Sequence, residues 1–306
     1  MGRVRGIAVV WGMVVAIVGL VACTSPGASV SPGATSTAPI AVLGTENFYA
    51  DLLTQIGGSS VRASSLLKDP NVDPHSYEAS PQAATLVADA RLVILNGIGY
   101  DDFMRKLLDA SPKADRVVIE VQQVLGVADD VNPHVWYDPK AMPKVAEAAS
   151  AALSKLDPAN ASAYAKQKDA YVLALQPLNE KIAQIKTKYS GAPIAFTEDV
   201  AGYLTNAMGL EVKTPGSFMK AIEQGTDPAP ADVAAERDLI TGKKVKVLLY
   251  NSQVTSPITQ QIHDLAEKNG VPIVGVAETI PPEFHTFQEW QLAQMDQLEK
   301  ALAGGR

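Results

Sequence analysis

The chain of 306 residues contains a single cysteine, Cys23, and four histidines. One cysteine excludes an internal disulfide, so a folded body downstream must be held by packing alone, even in an oxidising compartment. Aromatic residues are scarce, at 6%. With 26 basic against 33 acidic residues, the formal net charge is −7. That balance argues against nucleic acid as a partner; it suits a cationic ligand without requiring one. The sequence has no His-Glu-x-x-His pattern, no Gly-x-Ser-x-Gly elbow and no phosphate loop, which removes the common signatures of zinc proteases, α/β-hydrolases and nucleotide-binding enzymes. The apolar run from Ile7 to Ala22 is shorter than the ~20 residues a membrane-spanning helix needs.

That run follows Arg3 and Arg5, contains no acidic residue, and leads into Leu20-Val21-Ala22-Cys23. Charge order and length are those of a secretory signal peptide. The tetrapeptide resembles the lipobox of bacterial lipoproteins, where cleavage before the cysteine is coupled to its lipidation. The expectation is a signal peptide over 1–22 and lipidation of Cys23. Thr24 to Pro39 is almost wholly Ser, Pro, Gly, Ala and Thr. Such a stretch offers too little apolar surface to offset the entropy of ordering, so 23–39 is expected to act as a flexible tether. One acyl chain binds a membrane only marginally, so a firm anchor implies more than one. The body is then expected on the extracytoplasmic face of the cell membrane, and it becomes more acidic once Arg3 and Arg5 are removed.

From Ile40 to Arg306 the pattern is α/β. Candidate strands are Ile40–Leu43, Val61–Leu67, Leu92–Asn96, Val117–Val121, Pro193–Thr197, Glu211–Thr214, Val245–Asn251 and Pro272–Ala277. Most are short apolar or β-branched runs separated by turn residues or helices, the mark of parallel sheets covered on both faces. Four strands fall in each half. Between them Asp157–Ser190 reads as helix, with Asp157 placed to cap it and Pro158 at its first position. Pro177 interrupts it, and an interior proline kinks or breaks a helix. The expected layout is two (βα)-type lobes, 40–157 and 191–306, with mostly parallel sheets, joined by a long backbone helix over 158–190. Two ordinary helices inside one large domain is the plainer alternative.

Four polar segments lie at or shortly past strand ends: Asp73-Pro74-His75-Ser76-Tyr77-Glu78, Asn132-Pro133-His134-Val135-Trp136-Tyr137-Asp138-Pro139, Glu198-Asp199 and Glu278-Thr279. Ligands of open α/β sheets bind beyond the carboxyl ends of strands, and two segments come from each half. Two histidines and two glutamates make a divalent-metal donor set: imidazole suits zinc and other transition metals, while carboxylates shift preference toward harder ions such as manganese. Proline before each histidine stiffens its loop. A lone loop histidine is usually a solvated or hydrogen-bonded residue, and it is the near-repeat of Asp-Pro-His and Asn-Pro-His that raises both above that. His285, in a proline-stiffened loop near Glu278, is a possible auxiliary ligand or an ordinary loop residue. His263 falls in a helical run between polar neighbours and reads as solvent-facing.

Asp-Pro-His-Ser-Tyr-Glu and Asn-Pro-His-Val-Trp-Tyr-Asp-Pro resemble the two histidine motifs of zinc/manganese-type solute-binding lipoproteins of metal ABC importers. The resemblance extends over Ile40 to Leu302 and includes Gly44-Thr45-Glu46-Asn47-Phe48-Tyr49 and Val93-Ile94-Leu95-Asn96-Gly97. It implies a metal held between two lobes, with His75, His134, Glu198 and Glu278 as ligands, Mn2+ or Zn2+ as the transported ion, and a permease as partner. Thr197-Glu198-Asp199-Val200-Ala201-Gly202-Tyr203 matches the third family motif with glutamate in the ligand place. Glu278 stands where the family usually has aspartate, and the third histidine and His-rich loop common in zinc members are missing. These departures leave the metal open and admit Asp199 as a further ligand. Four protein ligands leave no position for a reacting water, which favours carriage over catalysis. The chain is expected not to be an enzyme, to bind no nucleic acid and to act as a monomer. The rivals are a bilobal protein for a metal chelate or other small solute, which predicts a roomy aromatic-lined cleft, and a secreted metallohydrolase with an open metal position.

Overall fold

Short runs of valine, isoleucine and leucine become strands, and the inner ones of each sheet are buried on both faces between helices. A computed structural model describes residues 8–11, 38–70, 72, 74 and 77–304. The chain divides into two units, Met1–Thr37 and Ala38–Arg306, and everything below concerns the second. Its strands are β1 (Ile40–Glu46), β2 (Val61–Leu67), β3 (Leu92–Leu95), β4 (Val117–Glu120), β5 (Pro193–Phe196), β6 (Glu211–Val212), β7 (Leu248–Asn251) and β8 (Ile273–Val276). All eight expected strands are present among the described residues. The rear ones are shorter than the sequence implied. β6 is an exposed edge strand of two residues, and β7 pairs with β5 over only Ala195↔Leu248 and Phe196↔Leu249.

The strands form two four-stranded sheets, one per lobe, ordered β2-β1-β3-β4 and β6-β5-β7-β8, with every pairing parallel. The two orders are the same topology. In each lobe the chain direction across the sheet reverses between the first and third strands, and a crevice opens at their carboxyl ends. Register makes the correspondence residue by residue. Gly44 pairs with Ile94 in the front lobe, and Phe196 with Leu249 in the rear lobe. Thr45-Glu46 therefore corresponds to Thr197-Glu198, and Asn96 to Asn251.

Gly44 lets the helix Asn47–Gly57 pack tightly against the front sheet: a Cβ there would lie 2.4 Å from the Ala50 amide nitrogen. Between the lobes run a 3-10 turn, Pro158–Asn160, and two helices, Ala161–Ala174 and Gln176–Tyr189. The break falls at Leu175, two residues ahead of Pro177. That proline has no N–H to give to the Leu173 carbonyl, and the Leu175 N–H turns back to Val172 at 3.2 Å. The Asp157 carboxylate accepts from Asn160 Nδ2 and the Tyr164 hydroxyl at 2.7 and 2.8 Å. Several of the scarce aromatics gather where the lobes meet. Phe48 stacks on Trp136 at 4.7 Å, and Tyr137 meets Trp290 of the C-terminal helix Phe287–Leu302 edge-on at 5.9 Å. Among the described residues no helix is long and apolar enough to cross a membrane.

Candidate metal centre

Glu198 directly follows β5, Glu278 follows β8 after Ala277, and His134 lies well past β4, beyond the short helix Val121–Leu125 and just before a 3-10 turn at Val135–Tyr137. Two strand ends and one longer loop thus deliver side chains into one cleft between the lobes. All three residues are completely buried, and one ligand atom from each lies within 4.8 Å of the other two. His134 Nε2 is 3.3 Å from Glu278 Oε2 and 3.9 Å from Glu198 Oε1. Two donors bonded to one ion at about 2.1 Å in tetrahedral geometry stand about 3.4 Å apart. The spacing matches that of ligands around a shared cation.

Polar neighbours fix the direction of each ligand. Asn132 Oδ1 accepts from the His134 backbone N–H at 2.9 Å and lies 2.7 Å from His134 Nδ1, while Asn132 Nδ2 donates to the Asp199 carbonyl at 2.6 Å. An amide oxygen facing Nδ1 requires Nδ1–H, which assigns the proton there and leaves the Nε2 lone pair for a metal. Asn251 Nδ2 donates to Glu198 Oε2 and to Glu278 Oε1, both at 2.7 Å. One amide thereby aims both carboxylates. Gln253 Oε1 accepts from the Glu278 backbone N–H at 2.6 Å, and the Tyr100 hydroxyl donates to Glu278 Oε2 at 2.8 Å from the opposite lobe. Burial, then the charge of Glu278, pushes the Tyr100 phenol well above its ordinary value, so it stays a donor.

Tyr100 is carried by a loop with unusual backbone. Gly97, Ile98 and Gly99 have φ of 77°, 58° and 75°. A β-branched residue in the left-handed region costs roughly 1–2 kcal/mol. The loop is held by the buried Asp101 carboxylate, which accepts from the Asn96 and Gly97 amides at 2.8 Å each. The Ile98 amide donates to Gln122 Oε1 at 3.0 Å. Trp136 and Tyr100 pack edge-on against the His134 ring at 5.3 and 5.8 Å and help bury it.

The structure brings His134, Glu198 and Glu278 together. His75 and Cys23 lie outside the described residues. Asp199 is partly buried beside the trio but outside it; burial raises its carboxyl and the nearby His134 lowers it. The auxiliary role considered for His285 is not supported by its position: it is exposed, stays outside the cluster, and donates its backbone N–H to Glu289. His263 is only partly solvent-facing: it also packs edge-on against Tyr250 at 4.9 Å, because its helix lies over β7. Sequence reasoning missed Asn251, Asn96, Tyr100 and Gln253. The signal for the asparagines was available: Val93-Ile94-Leu95-Asn96 and Leu248-Leu249-Tyr250-Asn251 are both apolar strands ending in asparagine.

Two lobes of identical sheet topology, closing on a buried acidic cleft with one imidazole, define a bilobal binding protein built for a cation. The model of the zinc-uptake complex component A family, periplasmic (ZnuA), matches residues 42–301, and the chain belongs to that family. It is 25% identical over 251 residues to the manganese-binding lipoprotein MntA of Bacillus subtilis, covering 78% of this chain and 80% of that protein. It is 23% identical over 241 residues to the zinc-binding protein TroA of Treponema pallidum, covering 75% of each. The solved structure of the Treponema pallidum protein superposes with a TM-score of 0.74 at 21% identity, over 88% of this chain and all of that one. The Pseudomonas aeruginosa protein FpvC, solved with Mn2+, gives 0.72 at 23% identity, over 87% and 98%. Both share the fold.

Proposed function

We propose that this protein is the extracytoplasmic solute-binding component of a metal ABC importer, capturing Mn2+ or Zn2+ between its lobes and delivering it to a membrane permease. The observation that carries the reading is the convergence of His134, Glu198 and Glu278, completely buried, at the spacing of ligands on one ion. The front lobe supplies His134, with His75 as the fourth ligand; the rear lobe supplies both carboxylates. A proton or a cation must sit among acceptor atoms this close, since their mutual repulsion in a low-dielectric site is large. Cys23 anchors the protein by lipid, and the stretch to Pro39 tethers the body above the membrane. Full burial of the trio suits a bare ion better than a chelate. A donor set closed by four protein groups favours carriage over hydrolysis.

Calorimetry on metal-stripped protein tests this. The wild type should take up one equivalent of Mn2+ or Zn2+, and His134→Ala should weaken binding of both by more than about 100-fold. A variant that binds like the wild type would remove the site.

A further inference from the structure

One buried carboxylate of the cleft has no place in that donor set. Glu46 ends β1 at the front-lobe position that corresponds to Glu198. We propose that Glu46 is a specificity-determining ligand: an added oxygen donor recruited by a cation that takes more than four ligands, manganese(II), and left aside by one that takes four, zinc(II). The proposal rests on the reading that His134, Glu198 and Glu278 hold the ion.

Three observations carry it. The first is topological. Each sheet has one crevice where its strand order reverses, the place where open α/β sheets bind ligands. Glu198 stands at the rear crevice and Glu46 at the front one, each preceded by a threonine, whose hydroxyl bonds to the neighbouring strand of its own lobe. The second is isolation. Glu46 is completely buried, and neither carboxylate oxygen has a partner at good hydrogen-bond geometry; only its own backbone amide and the Asp101 carboxyl bond it, and weakly. The charged groups acting on it are Asp101 and Glu278, both acidic. An uncapped buried carboxyl costs stability, and at the mouth of a cation cleft a bound ion would offset that cost. The third is electrostatic proximity. Glu278 raises the Glu46 carboxyl, and Glu46 raises the Tyr100 phenol that bonds Glu278. It stands outside the tight trio. Zinc, satisfied by four donors, has no need of it, whereas manganese prefers a larger, oxygen-rich shell. No well-formed hydrogen bond has to break for its side chain to swing toward the ion.

The experiment compares full-length wild type, Glu46→Gln, Glu46→Asp and His134→Ala, using competition calorimetry with Mn2+ and Zn2+ and the visible spectrum of bound Co2+. Glu46→Gln should weaken Mn2+ by about 10-fold or more while Zn2+ stays within about threefold. The Co2+ band should intensify as the coordination number falls, and Glu46→Asp should recover part of the Mn2+ affinity. Unchanged affinity for both metals would overturn the assignment. So would an equal loss for both with an unaltered cobalt spectrum, which would mark Glu46 as a shaping residue only. Circular dichroism establishes folding. If Glu46→Gln does not fold, the Mn2+/Zn2+ ratio and cobalt spectrum of Glu46→Asp decide in its place: a wild-type ratio and spectrum would also overturn the assignment. Failure of the underlying site is read separately, as a wild type that binds neither ion or a His134→Ala protein that binds both normally.

Discussion

The front and rear lobes share one sheet topology and one Thr-Glu/Asn set, yet use the asparagine differently. In the rear lobe Asn251 reaches forward and ties Glu198 to Glu278. In the front lobe Asn96 turns aside, donating to the Pro133 carbonyl at 2.9 Å and accepting from the Tyr49 hydroxyl at 2.8 Å. It thereby steadies the loop that carries His134 and makes no bond to Glu46, whereas Asn251 bonds Glu198. The same strand end thus positions a ligand in both lobes, directly in one and through a loop in the other. The loop beyond the short helix Val121–Leu125 is long enough to bring an imidazole inward, whereas the segment after β8 delivers Glu278 almost at the strand end. The lobes therefore make unlike contributions: a nitrogen donor on a supported loop, and two carboxylates on rigid strand ends.

The sharpest way to break this comparison is to remove each asparagine. Asn251→Ala leaves two buried carboxylates without the amide that aims them, and metal affinity should fall by about 10–100-fold, the usual cost of losing an outer-shell partner. Asn96→Ala should act mainly on stability. It strands the buried Tyr49 hydroxyl, at about 1–3 kcal/mol, while the Pro133 carbonyl keeps the Val135 N–H and His134 keeps its bonds to Asn132. Calorimetry and thermal melts on both variants check it. The same affinity loss in each would show that the two residues do one job.

A buried acid away from the cleft sharpens the contrast further. Asp101 in the front lobe, raised to about 6 by burial, is held by two backbone amides. In the rear lobe Glu236, in the helix Pro230–Thr241, is completely buried, and burial pushes it up to about 7, with only a small opposing pull from Thr214. Its folded value lies above the unfolded one, so the folded state holds the proton more tightly. Stability is fully present below the unfolded value of 4.5 and is lost as pH rises through about 7. The full shift bounds the effect at roughly 3 kcal/mol. Glu236→Gln should recover about 1–2 kcal/mol at pH 8, because the new amide is itself poorly satisfied, and nothing at pH 4. Asp101 and Asp51, both near 6, titrate in the same sense, so the variant's melting temperature should fall less steeply with pH rather than become flat. An unaltered slope would place the charged form of Glu236 in a better environment than its burial implies.

Most of the architecture was legible because it is local. Apolar runs of four to seven residues bounded by turns marked most strands, the polar Glu211–Thr214 excepted, and Pro177 marked the helix break to within two residues. The proposed ligands were legible in part from position: Glu198 and Glu278 from type at strand ends, and His134 from its Asn-Pro-His context. What the pattern could not show was how the groups around them are paired. Asn251 and Gln253 read as ordinary strand-end polar residues, and their roles exist only once β7 lies between β5 and β8. Tyr100 depends on a left-handed turn through Ile98 that no propensity favours. His263 was read only in part because helix periodicity does not say which neighbour covers a half-polar face.

The smallest expected effect concerns the join between the lobes. The Tyr137 hydroxyl donates to the Ala277 carbonyl, beside Glu278, at 2.7 Å and lies 3.0 Å from Gln294 Oε1. Both acceptors belong to the rear half of the chain, so this phenol fastens one lobe to the other without touching a ligand. Tyr137→Phe keeps the aromatic packing on Trp136 and Trp290 and removes only the hydroxyl. The expected cost is about 1 kcal/mol of stability, the net value of a buried neutral hydrogen bond, with metal affinity held within about threefold because Gln253 and Asn251 still position Glu278. A larger loss of affinity than of stability, measured on the same preparation, would mean that the front lobe positions the rear ligands through the backbone at Ala277, and that the two halves of the site are not built independently.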